Sequence, residues 1–134
     1  MAPRELLRSL YLGDRACKAI IIDGWNNSIR LQVDCISRIR SPSGEWDFHS
    51  DEDILDGFIV FGGADRFELL GGGRIPNDSI NSVEVVADHG DSVTVELSVG
   101  AVDADANRQE TLLRIRCKSV HLEDPARPGV RIDS

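Results

Sequence analysis

Residues 80–122 read INSVEVVADHGDSVTVELSVGAVDADANRQETLLRIRCKSVHL and contain the most regular pattern of the chain. Three runs rich in apolar residues, 80–87, 92–101 and 110–122, are separated by short polar segments. Apolar and polar side chains alternate within these runs, and a period of two is typical of a strand with one buried and one solvated face. The pattern predicts a three-stranded antiparallel meander. On its solvated face, Glu96 is expected to pair with an Arg or Lys of the neighbouring strand.

Strand patterns also occur in the first half of the chain. Residues 18–22 and 29–40 are predicted strands, and the two adjacent Asn residues in the segment 24–28 tolerate the positive φ of a hairpin turn between them. Residues 58–70 predict one further strand, bent at the glycine pair in its middle. Strands joined by tight turns are typical of antiparallel sheets.

The segments around these strands give further predictions. Residues 3–12 place apolar side chains on one helical face and predict a short helix. Residues 46–48 predict a short strand, and residues 50–55 begin with a capping Ser and acidic residues that favour one turn of helix. Prolines lack the N–H donor that a strand needs, so residues 123–134 are predicted to form an extended surface tail.

The length of the chain predicts one domain. A chain of 134 residues buries enough surface to fold around a single core, so residues 1–134 are expected to form one unit. We predict a mainly β fold, with an antiparallel sheet of about six to eight strands over residues 17–122. The sheet is either closed into a barrel or packed as a sandwich, and the short N-terminal helix lies against one edge or opening.

The composition of the chain is acidic. Asp and Glu number 23 against 15 Lys and Arg, which gives a formal net charge of −8. Negative charge repels phosphate backbones and anionic lipid surfaces, so neither nucleic acid nor a membrane is expected as a partner. No apolar run approaches the roughly 20 residues that span a bilayer. Charged residues also interrupt the N-terminal apolar residues, so no signal peptide is predicted and a cytoplasmic location is expected.

Residue types that perform chemistry are scattered along the chain. The three Cys are widely spaced and the three His lie in separate segments, so no disulfide framework, zinc site or nucleophile–base pair is predicted. Residues 103–107 resemble half of a calcium loop, but Arg108 stands where that loop requires Gly. The glycines at 71–73 are not followed by the Lys of a phosphate-binding loop. We therefore predict no catalytic residue, no metal and no cofactor.

An acidic segment and two tryptophans form the candidate binding surface. Clustered carboxylates suit a cationic surface, although they are also typical of a solvated helix start. Tryptophans beside turns suit a binding surface, although half-buried packing explains them as well. The residues predicted to contact a partner are Trp25, Trp46, Asp47, His49, Asp51, Glu52, Asp53 and Asp56.

Several short stretches carry a resemblance to known sequences. LGDR at 12–15 with Cys17, QVDCISR at 32–38, IPND at 75–78 and HLEDP at 121–125 together resemble a family of uncharacterised bacterial proteins of unknown function. The resemblance spans most of the chain and implies no activity and no functional residue. In size, acidity and strand content the chain is also similar to immunity proteins that neutralise bacterial toxins.

These observations lead to one functional hypothesis and two alternatives. The first is a non-catalytic cytosolic protein-binding domain of the immunity or adaptor type, with a basic protein as its partner. The first alternative is a small-ligand carrier, because barrels of this size enclose cavities. The second is a hydrolase that uses the carboxylates near His49, which requires those groups to converge in a pocket. Monomer and homodimer both stay open.

Overall fold

The structure, a computed structural model, describes residues 1–134 and contains one helix, α1 (Pro3–Arg8), and eleven strands. The strands are β1 (Leu10–Tyr11), β2 (Cys17–Asp23), β3 (Ser28–Val33), β4 (Cys35–Arg38), β5 (Ile54–Leu55), β6 (Phe58–Gly62), β7 (Arg66–Leu70), β8 (Ile80–Asp88), β9 (Val93–Val102), β10 (Arg108–Cys117) and β11 (Ser119–Glu123).

The strands form three antiparallel sheets. Sheet I has the order β11-β6-β3-β2, sheet II the order β7-β10-β9-β8, and sheet III the order β1-β4-β5. The sheets do not close into a barrel. The prediction of a mainly β, antiparallel fold with one short N-terminal helix is confirmed.

A hydrophobic cluster of 21 buried residues draws on all three sheets and on α1. Each sheet and the helix contribute side chains that are at most 2% exposed, among them Leu6, Leu31, Ile36, Val95 and Ile115. These residues are buried because alternate side chains of a strand point to the same face of its sheet. Burial of one such side chain contributes roughly 1.5–3 kcal/mol to folding.

The predicted meander and the first hairpin are both present. Strands β8, β9 and β10 are neighbours in sheet II, and Glu96 lies directly opposite Arg114. Arg114 Nε donates to Glu96 Oε2 at 2.9 Å, as the alternation of the two strands predicts. In sheet I, β2 and β3 pair as a hairpin whose turn contains Asn27 at a φ of 49°.

Three predicted strands are each divided between two sheets. The strand over 29–40 breaks at Asp34, whose Oδ1 accepts hydrogen bonds from the backbone N–H groups of Ala16 and Cys35, both at 2.9 Å. The chain leaves sheet I there and continues as β4 of sheet III. The strand over 58–70 divides at Gly63, where φ is 60°, into β6 of sheet I and β7 of sheet II. The strand over 110–122 divides at Lys118 into β10 of sheet II and β11 of sheet I. With the two-residue strands β1 and β5, these three divisions give eleven strands in place of the predicted six to eight.

The predicted helix over 3–12 is shorter than expected. It ends at Arg8, because Ser9 Oγ donates to the Leu6 carbonyl at 2.6 Å and the next two residues pair with β4 as strand β1. Strands therefore begin at Leu10 and not at residue 17. The pairing of Leu10 with Arg38 outweighs the helical spacing of the apolar side chains.

Predictions for the segment after β4 are wrong. Residues 46–48 form no strand and residues 50–55 form no helix; the Asp53 N–H donates to the Ser50 carbonyl at 3.2 Å in a single turn. Phe48 has a φ of 66°, which does not fit a strand. The end of the segment is β5, because Ile54 pairs with Ile36 of β4. Long-range pairing therefore replaces the local helical preference.

The C-terminal residues do not form a fully extended tail. After turns within residues 125–129, the chain returns to the body of the protein. Ile132 and Leu122 exchange two backbone hydrogen bonds, at 2.7 and 2.9 Å, and the Ile132 side chain packs against the core. The proline-containing segment thus reverses the direction of the chain, and the Ile132 side chain packs against the core as a result.

Candidate functional site

The connection between β4 and β5, residues 39–53, is the candidate functional site. This β4–β5 loop has 15 residues and no regular secondary structure. Loops of that length inside a compact fold are uncommon and often carry function. It contains six of the eight residues predicted to contact a partner: Trp46, Asp47, His49, Asp51, Glu52 and Asp53.

An aromatic stack attaches the β4–β5 loop to the N-terminal part of the chain. The rings of Trp46 and Tyr11 stack with centroids 3.8 Å apart and planes inclined by 10°. The Arg15 guanidinium lies 5.7 Å from the Tyr11 centroid and 5.9 Å from that of Trp46, within the range of a cation–π interaction. Arg15 Nη2 also donates to Ser37 Oγ at 2.8 Å. Trp46 is half-buried and holds the loop in place.

Phe48 lies next to the same stack and is exposed to solvent. Its ring lies 4.6 Å from that of Trp46, yet 78% of the residue is exposed. Its backbone has a φ of 66°, in the left-handed region that bulky side chains rarely adopt. That conformation costs about 1 kcal/mol or more, and such strain is concentrated at functional positions.

An ion-pair network closes the base of the loop. Arg40 donates two hydrogen bonds to the Glu52 carboxylate, both at 2.7 Å, and His49 Nε2 lies 2.9 Å from Glu52 Oε2. Hydrogen bonds from Arg40 lower the pKa of Glu52 to about 2, against the opposing effect of partial burial and with help from His49. Glu52 is thus ionised and engaged by partners within its own loop.

The other carboxylates of the acidic segment differ in their surroundings. Asp56 accepts a hydrogen bond from Lys18 Nζ at 2.6 Å, so its charge is compensated. Four acidic residues of the loop are exposed and form no ion pair: Glu45, Asp47, Asp51 and Asp53. The negative charge that the loop offers to a partner therefore resides on these four residues.

Trp25 lies far from the β4–β5 loop. It is 94% exposed in the turn between β2 and β3. Trp46 of the loop lies 5.9 Å from Arg15, which comes just before the other end of this hairpin, where Cys17 pairs with Val33. At about 3.3 Å per residue, the length of β2 places Trp25 roughly 20 Å away from that end. The structure therefore does not combine Trp25 with the other predicted residues.

A surface cavity of about 240 Å³ borders the loop on the side of the C-terminal segment. Its polar lining comprises Arg38, Asp51, Glu52, Asp53, Asp124 and Arg127. Arg38 is only 2% exposed. Burial lowers the pKa of its guanidinium, the neighbouring Arg40 lowers it further, and Glu52 acts in the opposite direction.

Other reactive side chains do not gather in one place. Burial raises the pKa values of Cys17 and Cys117 to about 11. No group of three or more His, Cys, Asp and Glu residues is arranged to hold a metal ion. The one helix, α1, is too short to cross a membrane.

Comparison with known proteins identifies a family. A family model described as "Family of unknown function (DUF6258)" matches residues 1–134. The chain belongs to this family. The resemblance to an uncharacterised family is thereby confirmed, and membership of DUF6258 does not indicate an activity. No curated protein and no solved structure shows significant similarity to this DUF6258 chain.

Four residues around the DUF6258 candidate site are absent from the sequence prediction: Tyr11, Arg15, Arg38 and Phe48. The spacing of residues 29–40 contained one usable signal. Apolar residues occupy odd positions up to Val33, whereas Ile36 is apolar at an even position. This change of phase indicates that the strand is interrupted and that Arg38, two residues later, faces the same way as Ile36.

Proposed function

We propose that the chain is a non-catalytic cytoplasmic protein-binding domain, of the immunity or adaptor type, whose β4–β5 loop binds a cationic surface of its partner. The observation that carries the proposal is Phe48, an exposed aromatic residue in a left-handed backbone conformation. Aromatic side chains surrounded by polar groups are typical centres of protein interfaces. In the sequence, Phe48 is flanked by the four carboxylates of the loop that form no ion pair.

The loop is held in its shape before any partner arrives. Trp46 is stacked on Tyr11, and Arg40 joins the two ends of the loop through Glu52. Ordering a flexible loop on binding costs conformational entropy, and a loop that is already ordered avoids much of that cost. This rigidity supports binding as the role of the loop.

The chemistry of the exposed surface favours a basic partner. Asp47, Asp51 and Asp53 carry uncompensated negative charge, and Leu55, the second residue after the loop, is 72% exposed. Apolar side chains next to unpaired carboxylates suit a surface that combines apolar residues with Lys or Arg. The net charge of −8 would accelerate the approach of such a partner.

The two alternatives have less support. A carrier needs an enclosed cavity, whereas the sheets form no closed barrel and their inward side chains pack into one cluster. A hydrolase needs an available acid or base, whereas His49 contacts Glu52 and Glu52 is held by Arg40. Neither His49 nor Glu52 forms a side-chain hydrogen bond to a nucleophilic Ser, Thr or Cys.

The test is affinity capture from an extract of the source organism, with the full chain as bait and identification of bound proteins by mass spectrometry. We expect a basic protein to be retained by the wild type and reduced about tenfold or more by Phe48→Ser. Trp25→Ser is the matched control, because it removes another exposed aromatic residue, at the far end of the hairpin. Equal loss with both variants would contradict the proposed surface.

A second pair of variants tests the charge. One variant neutralises three of the unpaired loop carboxylates, Asp47, Asp51 and Asp53. The other neutralises three exposed carboxylates elsewhere, Glu84, Asp91 and Asp105. Both variants change the net charge by the same amount, so only a local effect separates them. We expect the loop variant alone to lose the partner, and added salt to weaken capture by the wild type because exposed charges are screened. A partner that both variants retain equally would argue against a cationic contact.

A further inference from the structure

Strand β2 is the outer strand of sheet I, so only one of its two edges is paired with a full strand. In β3, the Val33 N–H donates to the Gly57 carbonyl, on the side of β6. Because consecutive strand residues point their hydrogen-bonding groups to opposite edges, the even-numbered residues of β3 point theirs towards β2. The register pairs these residues with residues 19, 21 and 23 of β2. The N–H and C=O groups of Ile20 and Ile22 therefore point away from sheet I, and no backbone hydrogen bond outside the sheets reaches them.

The side chains at this free edge are apolar and partly exposed. Ile20 and Ile22 lie opposite the buried residues Leu31 and Ile29, on the core face of the sheet, yet Ile22 is 57% exposed. On the other face, Ile21 is 44% exposed. A strand added beside β2 would cover apolar surface on both faces of sheet I.

The outer edges of the other long strands are protected. Leu122 of β11 exchanges two backbone hydrogen bonds with Ile132, and two bulges interrupt β8. Strand β7 carries the exposed charged residues Arg66 and Glu68. Covering segments, bulges and charges all keep sheet edges from pairing with other chains. Residues 19–22 of β2 have none of these features.

We infer that two copies of the chain associate through β2, as antiparallel neighbours related by a two-fold axis. The axis places Ile21 opposite Ile21 of the second copy, and Ile20 opposite Ile22 of the second copy. In this register each pair of Ile20 and Ile22 exchanges two hydrogen bonds, so all the outward-pointing groups of both residues are satisfied. The same surface is used by both copies, as a two-fold interface requires.

The ends of this interface are complementary in charge. The register places Asp23 of one copy opposite Ala19 of the other, next to Lys18. Lys18 lies on the same face as Ala19: its Nζ donates to an Asp56 carboxylate oxygen, and the Asp56 carbonyl accepts from Gln32, the residue opposite Ala19. An ammonium group and a carboxylate therefore meet at each end of the paired strands, which favours a second copy as the partner.

The length of the free edge also suits a second copy. Before Lys18, the outer edge is occupied, because Ala16 forms a bridge with Ser79. After Asp23, the chain turns at Gly24 towards β3. The strand of the second copy thus begins and ends where the free edge does. One added strand is small beside the interfaces of about 1,200–2,000 Å² in stable complexes, so we expect a reversible dimer.

The experiment is sedimentation equilibrium of the full chain at concentrations from about 1 to 500 µM. We expect the average mass to rise from 14.7 kDa towards twice that value, with a dissociation constant of about 10–100 µM. A mass that stays at 14.7 kDa over the whole range would overturn the inference.

Two lysine variants test the surface. Ile21→Lys places two ammonium groups opposite each other at the two-fold axis, and we expect at least tenfold weaker association, on the order of the repulsion between like charges on paired strands. Val86→Lys is the matched control, because Val86 is 46% exposed on β8 and lies outside the interface. Equal association of the two variants would refute the role of β2.

Hydrogen exchange of the wild type, followed by NMR, tests the register without any substitution. We expect the amides of Ile20 and Ile22 to exchange severalfold more slowly at the highest concentration than at the lowest, because pairing protects them. The Ile21 amide already faces β3 and should change little. Exchange of Ile20 and Ile22 that does not depend on concentration, or slowing confined to β8, would contradict the proposed pairing.

The inference is independent of the proposed protein partner, because residues 18–23 lie outside the β4–β5 loop. Phe48→Ser should therefore leave the dissociation constant of the dimer unchanged, and loss of the dimer in this variant would count against pairing through β2. A chain that stays monomeric, and that loses a captured protein with Ile21→Lys but not with Val86→Lys, would assign the free edge to a strand of that protein and reject the second copy.

Discussion

Replacement of Glu52 by Gln should destabilise the protein in a manner that depends on pH. Glu52 accepts two hydrogen bonds from Arg40 at 2.7 Å, which lower its pKa from 4.5 to about 2. The difference in pKa corresponds to at most roughly 3 kcal/mol. Because 41% of the Glu52 side chain is exposed, solvent screening reduces this contribution to about 1 kcal/mol.

The sign of the pH dependence follows from the lowered pKa of Glu52. The folded protein binds the carboxylate proton more weakly than the unfolded chain, so the contribution is fully present above pH 4.5 and is lost as the pH falls towards 2. Urea unfolding at a series of pH values measures this difference between the wild type and Glu52→Gln. We expect a gap of about 1 kcal/mol at neutral pH that closes under acidic conditions.

Asp51→Asn is the matched control for this measurement. It removes one negative charge from the adjacent residue, which is exposed and forms no ion pair. Its free energy of unfolding should stay within about 0.5 kcal/mol of the wild type. Equal effects of the two substitutions at neutral pH, or a Glu52→Gln gap that persists in acid, would refute the ion-pair reasoning.

Two further predictions concern the tryptophans and the cysteines. Trp46→Ala should lower the free energy of unfolding by about 1–3 kcal/mol, because it removes a half-buried ring stacked on its neighbour, whereas Trp25→Ala should change it by less than about 0.5 kcal/mol in the same urea experiment. Similar losses from both would show that the stack does not contribute. Iodoacetamide at mildly alkaline pH should modify Cys35 first, because Cys17 and Cys117 are buried and burial raises their pKa values to about 11, which suppresses the reactive thiolate. Mass spectrometry of the native protein checks the order, and early modification of Cys117 would contradict the buried assignment.

The sequence alone determined the secondary-structure class and the local pairings. Alternation of apolar and polar side chains is a property of consecutive residues, so it identified β8, β9 and β10 as strands and placed Glu96 opposite a basic residue. The turn at Asn27 was predictable for the same reason, since it depends on the conformations that neighbouring residues tolerate. The acidity of the chain is likewise a matter of composition.

The candidate site was only partly predictable. The acidic residues of the β4–β5 loop lie close together along the chain, and their clustering is visible in the sequence. The arginine partner of Glu52 and the stacking of Trp46 on Tyr11 are not visible, because they depend on how distant segments meet. For that reason Trp25 was predicted to act together with the loop residues, although the length of β2 separates it from them.

Tertiary structure decided which strands belong to which sheet and which polar groups are buried. Asp34 accepts hydrogen bonds from two backbone N–H groups and ends one sheet, and the chain then enters another with the opposite phase of burial. Arg38 is buried as a result, under a C-terminal segment that returns through Ile132. The period-two pattern shows which side chains of one strand share a face of the sheet. It does not show which strands become neighbours, because that depends on hydrogen bonds between residues far apart in sequence. These hydrogen bonds form only when the whole chain has folded.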